Sequence, residues 1–183
     1  SDDASVTKLV ADVIAEAGRI DLLVNNAGVG LMGGAEESSI AQAQRLFDIN
    51  VFGVLRMTNA VLPIMRRQGS GRIVNLSSVL GLIPAPFNAL YAATKHAIEG
   101  YTESLDHEVR TQGIRVSVVE PAYTRTSFED NLVPPDRALA VYEAGRAGAS
   151  VVMRRAMEAG DLPEVVAATV LKAATDTRPR HRY

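Results

Sequence analysis

The stretch Asn88-Ala-Leu-Tyr91-Ala-Ala-Thr-Lys95-His96 sets a tyrosine and a lysine four residues apart, on one face of any helix that carries them. A free phenol titrates near ~10, so alone it is a poor proton-transfer group at neutral pH. An ammonium one turn away favours the phenolate and draws that value down. Taken alone, this spacing more often marks a solvated surface pair. Its setting adds weight. Ser78 stands thirteen positions before Tyr91, just after the run Arg72-Ile73-Val74-Asn75-Leu76-Ser77, and Asn50 stands in Asp48-Ile49-Asn50-Val51-Phe52-Gly53.

A second stretch, Asn25-Asn26-Ala27-Gly28-Val29-Gly30-Leu31-Met32-Gly33, spells G-x-G-x-x-G behind the apolar run Ile20-Asp21-Leu22-Leu23-Val24. Asp48 follows at about 20 positions, where a dinucleotide fingerprint wants an acid. That fingerprint also needs a helix opening at its last glycine and an acid ending a second strand. Here helical periodicity resumes only several residues after Gly33, and Asp48 falls in mid-helix. The glycine pattern is therefore expected to be coincidental.

The elements that must position these residues follow from periodicity. Val6, Leu9, Val10, Val13 and Ile14 form an amphipathic helical stripe that Gly18 ends. Residues 20–24 read as a buried strand. A long helical stretch follows over 39–68, which Pro63 should kink or trim. The second strand is 72–77, a second long helix covers 88–112, and the third strand covers 114–120, ended by Pro121. A helix over 137–158 and a last one opened by Asp161, with Pro163 in its first turn, complete the order. Strands alternating with long helices imply right-handed crossovers and a parallel sheet covered on both faces. Ligands of such sheets sit beyond the carboxyl ends of the strands, here at 25–28, at Ser77-Ser78 and at 121–126.

The bulk numbers narrow the classes. The chain of 183 residues suits one compact domain, and 19 basic against 21 acidic residues give no electrostatic reason to expect nucleic acid. There is no cysteine, which removes disulfides and thiolate chemistry and fits a reducing, cytoplasmic setting. No apolar run reaches the ~20 residues of a membrane span. His96, His107 and His181 lack metal-ligand spacing. No G-x-S-x-G elbow surrounds Ser77 or Ser78, which disfavours a serine hydrolase. Leu31 and Met32 read as loop anchors. Phe87 and Tyr123 either line a substrate pocket or pack on the sheet.

The ordered set NNAG at 25–28, Asn50 before Val51-Phe52-Gly53, Ser78 thirteen before Tyr91-x-x-x-Lys95, and a Pro121-led loop ending in Thr126 resembles the short-chain dehydrogenase/reductase family. The run 78–100 is most similar to its hydroxysteroid and retinol dehydrogenase-like branch. The resemblance implies a Rossmann-like three-layer αβα fold in which residues 1–183 form a single, partial domain. It implies NAD or NADP as cofactor and a small-molecule alcohol or carbonyl substrate. Tyr91 would be the general acid/base. Lys95 would lower the Tyr91 pKa and hold the nicotinamide ribose. Ser78 would hold the substrate oxygen, leaving Ser77 to satisfy backbone groups at the strand end. Asn50 would interrupt the helix and position a water leading from Lys95 to solvent. Asn26, Ala27, Gly28, Pro121, Thr124 and Thr126 would line the cofactor, with Asn26 tying neighbouring strands together.

The family carries Gly after the loop proline, where this chain has Ala122. Its phosphate-binding Thr-Gly-x-x-x-Gly-x-Gly turn and first three strands have no counterpart in the sequence. A sheet without those strands is expected to leave an apolar edge bare. A chain that ended there would bind cofactor poorly, and a catalytically inactive binding or interaction module is the alternative function. In this family such long apolar helices pair between subunits, so a homodimer or homotetramer is expected.

Overall fold

Three short runs form the sheet, and the central and last of them are rich in β-branched residues, as burial on both faces favours. The computed structural model describes residues 2–183. Strands β1 (Leu22–Asn25), β2 (Gly71–Leu76) and β3 (Ile114–Val119) run parallel in the order β1-β2-β3. Val24 lies beside Val74, and Val74 beside Ser117. Among the described residues six α-helices accompany them: α1 (Asp3–Ala17), α2 (Ile40–Phe47), α3 (Gly53–Gln68), α4 (Ala89–Val109), α5 (Glu143–Glu158) and α6 (Pro163–Thr175).

The central β2 is dry, with Ile73, Val74 and Asn75 all at or below 1% exposure. Successive side chains point to opposite faces, so Ile73 and Val74 feed different layers. On one face Ile73, Ile114 and Val116 meet Val61, Leu62 and Met65 of α3 and Leu105 and Val109 of α4. On the other, Val74 and Val119 meet Val166, Val170 and Ala173 of α6. That cover does not extend to β1, whose Leu22 and Val24 stay 43% and 37% exposed. The bare apolar sheet edge expected from the sequence is therefore present at β1. Leu9 and Val13 of the α1 stripe are likewise exposed, and only Val6 and Val10 are buried.

Several expected boundaries move for identifiable reasons. The long helix of 39–68 is two helices joined by a π-turn, Asp48–Phe52. Pro63 does not trim α3, which continues to Gln68 because Val61, Leu62 and Met65 on its inner face are locked into the core. The helix expected from residue 137 starts later, with a 3-10 turn at Ala140–Tyr142 before α5. Its would-be first donors are spent elsewhere: the Arg137 N–H donates to the Glu37 carbonyl and the Leu139 N–H to the Glu37 carboxylate. Asp161 does not open α6 but pairs with the strand-end loop, its N–H donating to the Tyr123 carbonyl. Leu162 is the N-cap residue, and Pro163 starts the helix as expected.

Segment 180–183 runs parallel beside β3. The Val118 N–H donates to the His181 carbonyl, and the Tyr183 N–H to the Val118 carbonyl. Asp106 of α4 secures this side. Fully buried, it accepts from Arg115 Nε at 2.8 Å, from the Val116 N–H at 2.9 Å and from Arg110 at 2.8 Å. Burial opposes its ionisation, yet Arg115, that N–H and Arg110 hold its carboxyl below the ordinary range. Its stabilisation is thus complete above the ordinary carboxylate range and is lost as pH falls through the lowered value. Asp106→Asn strands two arginines and should cost about 3 kcal/mol at neutral pH, read from urea denaturation. The deficit should shrink in acid.

Candidate active site

The carboxyl ends of the three strands converge. The Ser77 N–H donates to the Val119 carbonyl at 2.8 Å and the Val79 N–H to the Pro121 carbonyl at 3.0 Å, which stitches the loop after β2 to the loop after β3. Asn25 closes β1 against β2, its side-chain amide donating to Asn75 at 2.8 Å, and Asn75 donates in turn to Thr102 of α4. The strand tie expected of Asn26 is thus made by Asn25, since period-2 alternation turns Asn25 inward and leaves Asn26 exposed.

Ser78 caps the short turn Val79–Gly81, its Oγ accepting from the Leu80 N–H at 3.1 Å. That turn faces α4 and sets the Ser78 hydroxyl near the Tyr91 phenol, close enough to ease its ionisation. Tyr91 is 9% exposed, and Phe128 lies against its ring at 5.8 Å between centroids. Burial pushes the phenol up to about 12, with the Ser78 hydroxyl working the other way. Lys95 Nζ lies 5.6 Å from the Tyr91 ring centroid and donates to the Leu76 carbonyl at 2.8 Å. Burial draws this ammonium down to about 8, against the pull of Glu99 one turn further on. The expected lowering of Tyr91 by Lys95 is therefore outweighed here: desolvation dominates both groups, and Lys95 is engaged by a carbonyl of β2.

Asn50 sits in the π-turn, as a local break in helix bonding requires. Its side chain grips the loop after β1 from both sides, accepting from the Val29 N–H and donating to the Val29 carbonyl, each at 2.9 Å. It also donates to Thr94 of α4 at 3.2 Å. A side chain on Gly28 would meet the Asn50 amide at 3.4 Å and nothing nearer, so this exposed backbone is open to a close approach. Gly30 and Gly33 do not cradle phosphate. Side chains there would strike Phe128 and Leu132, and Pro135, and no α-helix starts until Ile40. They let the loop after β3 close over Leu31 and Met32, both buried as loop anchors.

Pro121 lies at the stitched strand ends, and Thr124 bridges Asp161 in the loop that follows. The Thr126 hydroxyl accepts from the Phe128 N–H at 3.2 Å and so shapes the same loop. Tyr123 is exposed and packs on no sheet face. Phe87, held at φ +62 in the left-handed region, packs on Gly145 of α5 and on the Tyr142 ring. Ser77 departs from expectation: its N–H is bonded, but its hydroxyl is buried without a partner among the described residues. A cavity of about 450 Å³ opens between Met32, Leu132, Val133 and Pro135 on one side and Arg146, Ser150 and Met153 of α5 on the other. Arg146 is itself held by the buried carboxylate of Glu37. Among the described residues, no cluster of His, Asp and Glu could hold a metal ion, and no helix is long and apolar enough to cross a membrane.

Comparison with known proteins identifies the family of this fold. The short chain dehydrogenase family model matches residues 1–137. An uncharacterized oxidoreductase of Schizosaccharomyces pombe is 34% identical over 180 residues, covering 98% of this chain and 76% of its own. Retinol dehydrogenase 8 of Bos taurus is 48% identical over 118 residues, 64% of this chain and 38% of that protein. A short-chain dehydrogenase/reductase of Burkholderia phymatum, solved in complex with NAD, superposes with a TM-score of 0.84 at 31% identity, over 99% of this chain and 67% of that one. The chain belongs to the short-chain dehydrogenase family.

Proposed function

We propose that the protein moves a hydride between NAD or NADP and the carbon of a secondary alcohol or ketone, with Tyr91 as the acid/base. One observation carries the reading: the buried Tyr91 phenol stands by the Ser78 hydroxyl at the carboxyl end of the sheet, with Lys95 one turn away and 5.6 Å from its ring centroid. Solved relatives hold NAD or NADP, which supports the cofactor class. The exposed, small residues at Ala27 and Gly28 fit a close-lying cofactor, since nothing but the Asn50 amide stands over Gly28. Asn26, Ala27 and Gly28 would hold its adenosine side, while Lys95, Asn50, Tyr91, Pro121, Thr124 and Thr126 would hold the nicotinamide half.

The nicotinamide, when bound, supplies or accepts the hydride. The chain's own residues handle the oxygen. Ser78 donates to the carbonyl oxygen and holds it as charge develops there. Tyr91 gives its phenolic proton to that oxygen, so the carbonyl becomes an alcohol and the phenol a phenolate. The Lys95 ammonium stabilises that phenolate and, through water positioned by Asn50, lets a proton return from solvent. The high pKa of the buried phenol keeps Tyr91 protonated at neutral pH, which is the donor state that carbonyl reduction needs.

Residues 1–183 are read as one partial domain, cytoplasmic in a chain without cysteine. A homodimer or homotetramer belongs to the same proposal, supported by the exposed Phe52, Ile49 and Leu171.

A pH test follows. With Lys95 held at about 8, its ammonium is intact below that value and is lost above it. The reduction rate of the full-length protein at saturating cofactor should therefore be level from pH 6 to 7.5 and decline above about 8. A profile rising steadily to pH 10 would contradict an ammonium role for Lys95.

A further inference from the structure

Behind Lys95 lies a cluster of charges that the proposed reaction leaves unused. Tyr91, Lys95 and Glu99 occupy one face of α4 at successive turns, and all three are at or below 9% exposure. Glu120 stands at the end of β3, where the loop toward Thr126 begins, and lies against Glu99. Arg182 reaches in from segment 180–183, its Nε 3.4 Å from Glu99 and 3.1 Å from Glu120, and its other nitrogen 3.1 Å from Glu103. One oxygen of Glu99 and the Ser77 hydroxyl are buried without hydrogen-bond partners among the described residues. The Ser77 and Glu99 atoms flank one point, for a side chain on Gly81 would sit 2.6 Å from the first and 3.1 Å from the second.

Two buried carboxylates beside a single arginine leave an excess negative charge with little local compensation. The nearest cation on the same helix face is Lys95, which feels that charge directly. We propose that Glu99, steered by Arg182 of segment 180–183, is a positioning residue that holds Lys95 in its ammonium form. Glu120 is the other half of the cluster: burial and Glu99 raise its pKa above the ordinary carboxylate range, and it follows β3, away from the α4 face that carries Lys95. The neighbouring elements leave this assignment intact. Beyond Tyr91, Glu99, Glu103, Glu120 and Arg182, His181 lines the same place and faces Asp106 and Arg110. The β2 end and the turn at 79–81 contribute only carbonyls and hydroxyls.

The consequence is that segment 180–183, far from the reacting atoms in sequence, sets the charge state of the group behind Tyr91. The inference deepens the reading of Lys95 given above. Its test therefore includes a readout independent of turnover. In the full-length protein, the titration midpoint of Lys95 is followed by carbon NMR at Cε, the resonance being assigned by its loss in Lys95→Met. Glu99→Gln, which keeps shape and removes charge, should lower that midpoint by about one pH unit and pull the alkaline limb of kcat down with it. Glu99→Asp should restore most of the shift. Glu120→Gln should not lower the midpoint, although a distorted fold would move both variants alike. An unmoved midpoint in Glu99→Gln, or an equal fall in Glu120→Gln, would overturn the inference. Full turnover in Lys95→Met would instead sink the catalytic reading while leaving the NMR result to decide the electrostatic one.

Discussion

Tyr91→Phe is expected to lower turnover by about 10²–10⁴-fold in the full-length protein, the range typical of losing a positioned proton-transfer group. The loss should fall on kcat, because Phe keeps the ring that packs at 5.8 Å from Phe128 and removes only the hydroxyl. Cofactor affinity should change little, since Asn26, Ala27, Gly28 and the Pro121 loop are untouched. Stability should rise slightly or stay level. The phenol is deeply buried, and the hydroxyl that Phe lacks lies near Ser78. Ser78 retains its bond from the Leu80 N–H in the variant and is not stranded. A loss in kcat without a loss in thermal midpoint would separate chemistry from folding.

Lys95→Met should trade activity for stability. The ammonium is 8% exposed and drawn down from 10.5 to about 8, so the fold bears a charge it would rather shed. At about 1.4 kcal/mol per pKa unit, that is roughly 3 kcal/mol, less about 1 for the lost hydrogen bond to the Leu76 carbonyl. A net gain of about 2 kcal/mol at pH 7 is expected by denaturant titration, alongside a rate loss of at least ~10²-fold. The sign reverses the usual carboxylate case. The penalty on the native lysine is complete below about 8 and is relieved as pH rises toward the ordinary lysine value, so the advantage of the variant should shrink across that window. Equal stability of the two proteins at pH 7 and pH 10 would argue that Lys95 carries no buried charge.

Much of this site was legible because it is local. Tyr91, Lys95 and the helix between them need only the 3.6-residue period, and Ser78 needs only the end of an apolar run followed by a turn. The helix break at Asn50 came only from the family resemblance, because the apolar stripe of 39–68 ran through the π-turn and concealed it. The glycine fingerprint misled for the opposite reason. Its spacing was right, but Gly30 and Gly33 serve a loop more than ninety residues away, at Phe128, Leu132 and Pro135. The same distance hid Glu120 and Arg182. Their meeting with Glu99 depends on the register of segment 180–183 against β3, a contact with no periodic signature. The tie between Asn25 and Asn75 was one residue off, which in a strand is the difference between buried and exposed.

The central claim is that Tyr91 passes a proton to a carbonyl oxygen as a nicotinamide passes its hydride to the carbon. It is tested most directly by single-turnover reduction in the full-length protein, with NADH or NADPH deuterated at C4 of the nicotinamide and a panel of apolar ketones. Deuterium should appear on the carbinol carbon of the product in the native protein, with transfer slowed by about 10² or more in Tyr91→Phe at full cofactor occupancy. Transfer at the native rate in Tyr91→Phe, or no label in any product while either cofactor is bound, would contradict it.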